Sequence, residues 1–150
     1  QLIEEIDKTE GSKPIAVIFN LGVNDLGNAG NYVSYMTSIA STLKSKNCKL
    51  FYMSVNPINS TMITKAGRGA RTEAQVREFN SKIRSGLSLD YKYIDMYSVL
   101  MKKGYGTNAS YNGTDADSDD GLHYTTKTFK RIYYYCITYL NTGSINASYY

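Results

Sequence analysis

Cysteine is scarce: Cys48 and Cys136 are the only two, too few for a domain knit together by disulfides. One bridge between them is conceivable, and two separately buried thiols is the simpler expectation. Tryptophan is missing, and histidine occurs once, at position 123, so any imidazole chemistry rests on that residue. No apolar stretch approaches the roughly 20 residues that cross a bilayer, which argues against a membrane span. The 17 Lys and Arg never run more than two together, and the net charge is only +4. A nucleic-acid footprint, which needs clustered basic residues, is therefore not expected.

What is present fits one domain with a real core: 150 residues, 42% hydrophobic and 20% charged. Fifteen tyrosines offer apolar rings with a polar tip, suited to wet or sugar-facing surfaces and to the rim of a core. Asn59, Asn108, Asn112 and Asn146 each open an Asn-x-Ser/Thr sequon, which matters only in a glycosylating host. The Tyr/Asn/Ser richness and the linker-like "TGSINASYY" tail, 142–150, point to an extracellular or cell-surface protein.

Along the chain, "QLIEEIDK" reads as the end of a helix with Leu2, Ile3 and Ile6 on one side. Residues 15–21 are a near-continuous apolar run, as in a strand covered on both faces. Tyr32, Met36, Ile39, Ala40 and Leu43 form a helical stripe. A second strand is expected at 49–55, a polar loop at 58–71, and a helix from Thr72, where "TEAQ" has the capping-box pattern. Val76, Phe79, Ile83 and Leu87 continue that helix on one face, and "YKYIDMY", 91–97, reads as a third strand. A Gly/Asn/Asp/Ser loop spans 101–119. The last helix is expected to bury Phe129, Ile132, Tyr133, Cys136, Ile137 and Leu140. Strands alternating with helices predict an α/β layered fold with a parallel sheet, residues 1–141, whose ligands sit at the carboxyl ends of the strands.

Two short stretches lie at that end. In "FNLGVNDLGN", 19–28, Gly22 lets the chain turn sharply as it leaves the strand. Asn24 then offers an amide N–H₂, a neutral donor suited to a developing oxyanion. Asp25 is placed to cap the coming helix or to hold the loop by accepting peptide N–H groups. Read alone, these residues also make an ordinary polar turn. In "DGLH", Asp120 and His123 are three residues apart. A carboxylate on imidazole Nδ1–H fixes the tautomer and leaves Nε2 as a general base near neutral pH. A surface histidine beside an acidic loop is the alternative.

Together, Gly-x-Asn-Asp after a buried strand and Asp-x-x-His before the last helix resemble the SGNH hydrolases, or GDSL-type esterases. The resemblance covers nearly the whole chain except the tail. It implies a flavodoxin-like three-layer sandwich and cofactor-free, metal-free serine ester hydrolysis. Asn24 would be an oxyanion-hole donor with Gly22 beside it, His123 the base, Asp120 its orienting acid, and an ester, such as an acylated carbohydrate, the substrate. The chain departs from the pattern in one respect: no Gly-Asp-Ser occurs anywhere, so it offers no nucleophile. The family's first two strands and its serine would precede Gln1. The chain is thus expected to be the C-terminal part of a larger domain that pairs with its own N-terminal fragment, with an edge and two apolar faces open where that fragment belongs.

Other readings compete. A domain of the same fold that has lost its nucleophile would bind a carbohydrate or partner without turnover. In the hydrolase, Tyr105 and Tyr111 are placed to stack on sugar rings, which would favour deacetylation of a carbohydrate, or else to pack the loop onto its own domain. Asp115, Asp117, Asp119 and Asp120 alternate as in a calcium loop, but the glycine comes one place late and Thr126 stands where a bidentate Glu belongs.

Overall fold

The computed structural model describes residues 1–9, 13–105 and 120–145. Three parallel strands, β1 (Ile15–Phe19), β2 (Cys48–Met53) and β3 (Tyr91–Ile94), form a sheet in the order β1-β2-β3. Ile15 lies opposite Cys48 and Leu50 opposite Tyr91. Successive side chains of a strand point to opposite faces. Val17, Phe19, Leu50, Tyr52 and Tyr91 therefore join one core, and Phe51, Met53 and Ile94 another.

Helices cover both faces. On the first lie α1 (Leu2–Asp7), α2 (Ala29–Ser45), α3 (Ser60–Lys65) and α4 (Glu73–Gly86), inserting Ile6, Met36, Leu43, Ile63, Phe79 and Ile83. On the second lie α5 (Met96–Lys102) and α6 (Thr126–Thr142), with Met96, Leu100, Ile132, Tyr135 and Cys136. The architecture is mixed α/β with a parallel sheet between two helical layers, compatible with the flavodoxin-like class. Cys48 and Cys136 are both buried and free, one in each core, as the simpler expectation held.

Several expectations need correction. The third strand ends at Ile94, because Asp95 accepts the Ser98 N–H at 3.1 Å and starts α5. Within the expected 58–71 loop, Asn59 likewise accepts from the Met62 N–H and starts α3. Asn59 is itself buried, so its sequon is a helix cap and not an exposed glycan acceptor. Asn108, Asn112 and Asn146 lie outside the described residues.

The last helix is turned from the expected stripe. Thr128 and Tyr135 are buried, whereas Phe129 and Tyr133 are 52% and 61% exposed and Ile137 also faces out. The helix is apolar around much of its circumference, and a sheet of three strands covers only part of it. At the β1 edge, Val17 and Phe19 are covered, while Ala16 on the opposite face is exposed. One face of that edge strand is open, not both.

Candidate functional site

The chain leaves β1 through a turn fixed by specific hydrogen bonds. Asn20 donates its amide to the Ser54 carbonyl at 2.9 Å, and the Tyr52 hydroxyl donates to the Leu21 carbonyl at 2.8 Å. Both tie the turn to the carboxyl end of β2. Gly22 follows at φ +116°, buried, with the Phe79 ring packed where a Cβ would stand. Glycine is required three residues beyond β1 because a core ring of α4 closes against its backbone. Gly22 lines neither of the two clefts described below.

The cap of α2 is Asn28 and not Asp25. Asp25 instead accepts the Tyr32 hydroxyl at 2.8 Å, so it holds the loop through a side chain and not through peptide N–H groups. Asn24 accepts Arg71 Nη2 at 3.0 Å on its Oδ1. Because a guanidinium only donates, that bond settles which amide atom is oxygen. The Asn24 N–H₂ is then the atom without a partner among the described residues, on an exposed side chain.

Asp120 and His123 form a tight pair. Asp120 Oδ2 lies 2.7 Å from His123 Nδ1, while Oδ1 accepts the peptide N–H of Leu122 at 2.9 Å and of His123 at 2.8 Å. The Asp120 side chain is only 12% exposed and the His123 side chain 64%, so a held carboxylate presents an accessible imidazole. Burial alone would raise the Asp120 carboxyl. The His123 peptide N–H, its imidazole and the Leu122 N–H outweigh that and hold it well below the usual carboxylate range. A carboxyl depressed on folding stabilises the protein above its unfolded value, near pH 4, and loses that contribution as pH falls through the folded value. Acid unfolding of the Asp120→Asn variant should therefore show a shallower pH dependence below about pH 4 than that of the wild type. Superimposable curves would contradict the depressed carboxyl.

Gly121 seats this pair on the rest of the fold. Its carbonyl accepts the Asn59 N–H at 2.8 Å, its φ is +79°, and a Cβ would lie 2.4 Å from the Asn59 carbonyl oxygen. The obstruction is backbone, which cannot turn aside. Gly121→Ala should cost about 2–4 kcal/mol in urea unfolding, through overpacking and left-handed strain. A change below about 0.5 kcal/mol would show that the loop is free to shift.

His123 overhangs a cleft of about 110 Å³ lined also by Asn20, Val23, Asn56, Pro57 and Phe129. Asn24 lines a neighbouring cleft of about 240 Å³ with Arg68 and Arg71, and the two clefts meet at Val23. The loop between α3 and α4 ties both halves together. Arg71 binds Asn24, and Arg68 Nε lies 3.4 Å from Asp120 Oδ2. Neither arginine stands out in the sequence, where the one signal is a pair of basic residues set among glycines in "GRGAR".

Tyr105 is buried, with its hydroxyl accepting from Arg131, so it packs its own domain and offers no ring for stacking on a sugar. Tyr111 and the aspartates at 115, 117 and 119 lie outside the described residues, and among the described residues no group of three or more metal-ligating side chains occurs. No helix among them is long and apolar enough to cross a membrane. No family model matches the chain, and no curated protein matches it.

Proposed function

We propose that the chain carries the base and an oxyanion-hole amide of a serine ester hydrolase of the SGNH type, and that the nucleophilic serine lies on a segment outside residues 1–150. The observation that carries this reading is the Asp120–His123 pair, anchored by two peptide N–H groups and presenting Nε2 over a cleft beside the carboxyl ends of the strands. The place of β1 at the end of the sheet among the described residues, with Ala16 exposed, supports a further strand beside it.

In this reaction the serine oxygen attacks the ester carbonyl carbon while His123 Nε2 takes the serine proton. The carbon–oxygen bond to the leaving alcohol then breaks, and the imidazolium returns the proton to that alcohol. Water repeats the sequence on the acyl-serine and releases the acid. Asp120 steadies the imidazolium, and the unpartnered Asn24 N–H₂ donates to the oxyanion. Arg71 fixes which way that amide faces.

Loss of one such donor typically costs about 2.7–4 kcal/mol of barrier. Asn24→Ala in the complete hydrolase should lower kcat at least about tenfold on 4-nitrophenyl acetate with little change in KM. An unchanged kcat would remove Asn24 from the oxyanion role. The absence of Gly-Asp-Ser from the chain favours one second reading, a binding domain of the same fold without turnover. Reaction of a serine with a fluorophosphonate separates the two.

A further inference from the structure

The larger of the two clefts carries positive charge, whose only part in the ester chemistry is to orient Asn24 through Arg71. It is lined by Asn24, Arg68, Gly69, Ala70 and Arg71 among others, and by no carboxylate among the described residues. Arg71 spends one N–H each on the Val23 carbonyl, the Arg68 carbonyl and Asn24 Oδ1, at 3.0, 2.5 and 3.0 Å. Its charge meets no acidic side chain among the described residues, and two of a guanidinium's five N–H groups remain. Arg68 meets Asp120 through Nε at 3.4 Å, and its side chain is 55% exposed. Both Nη groups of Arg68, and the peptide N–H groups of Gly69 and Ala70, make no hydrogen bond among the described residues. Uncommitted guanidinium and peptide N–H groups converging on one concavity suit an oxyanion, since guanidinium forks match carboxylate, sulfate and phosphate geometry.

We propose that this cleft is an anion subsite, reading a carboxylate, sulfate or phosphate group carried by the substrate next to its ester. The substrate role rests on the hydrolase reading above; the anion site itself does not. It would select acidic esters over neutral ones, because Asn24 is shared between the oxyanion position and the wall of this cleft.

The test is an NMR titration of the ¹⁵N-labelled chain at pH 8 and constant ionic strength, with sodium sulfate, sodium phosphate, sodium glucuronate and glucose as probes. The expected result is saturable shifts of the Gly69 and Ala70 amides and the Arg71 Nε–H with at least one anion, and none with glucose. Arg68→Gln, on an exposed side chain, should weaken that binding about tenfold while the remaining spectrum stays folded. Sulfate or phosphate without glucuronate would identify a tetrahedral oxyanion, and glucuronate alone an acidic sugar; either supports the subsite. Shifts that grow linearly, persist in Arg68→Gln, or centre on residues 120–123 would overturn it. Binding is read without turnover, so failure here leaves the Asp120–His123 reading standing, and failure of serine labelling leaves the anion site standing.

Discussion

On the proposed ester-hydrolase reading, Asp120→Asn is expected to lower kcat of the complete domain about ten-thousandfold, as the same change does in a Ser-His-Asp triad. The geometry gives the reason. Asp120 Oδ1 accepts two peptide N–H groups, so an asparagine would keep its carbonyl oxygen there and turn its N–H₂ toward His123 Nδ1. Two donors cannot face each other. The imidazole would then carry its proton on Nε2, the nitrogen that accepts the serine proton in the proposed reaction. The fold should survive, because the backbone bonds of the loop are preserved. The measurement is kcat on 4-nitrophenyl acetate, with circular dichroism to establish folding. A folded variant losing less than about tenfold would mean that Asp120 does not orient the base.

Gly22→Ala is expected to destabilise the chain by about 3–5 kcal/mol, near the top of the range for point substitutions. Two costs combine. A φ of +116° is a conformation that residues with a Cβ rarely adopt, and the added carbon would stand 2.2 Å from Phe79 Cζ. Ring ends elsewhere can swing away. Phe79 is fully buried and meets the Tyr32 ring edge-on at a centroid distance of 5.5 Å, so it has little room to retreat. Tyr32 in turn holds Asp25, so strain at Gly22 spreads into the turn that carries Asn24. Urea unfolding of the single variants and of Gly22→Ala with Phe79→Leu tests the origin. The double variant should be markedly more stable than additivity allows. Strict additivity would place the cost in the backbone alone.

The sequence made the layered fold readable wherever burial left a periodic trace. Apolar runs marked the three strands, and Thr72 with Gln75 forms the expected capping box, bonded in both directions. It was unreadable where a polar residue interrupts an apolar run for a local purpose. Asp95 looks like one position in a strand but caps a helix, and "STMITK" is short and poor in strong helix formers, so α3 gave no stripe. The buried face of α6 differs from its apolar stripe because periodicity reports which residues are apolar, not how much sheet lies beneath them.

Within the site, Asp120 and His123 were legible because one turn brings them together. The arginine contacts were not, since Arg71 lies 47 residues from Asn24 and no local pattern announces such a meeting.

The most direct measurement is fluorophosphonate labelling of the protein as isolated and of its His123→Ala variant, followed by intact mass under denaturing conditions and peptide mapping. If the base and the oxyanion amide reside here and the nucleophile elsewhere, one serine outside residues 1–150 is labelled, residues 1–150 stay unmodified, and labelling fails in the variant. A labelled serine within residues 1–150, or labelling that proceeds equally well without His123, would contradict that division of the active site.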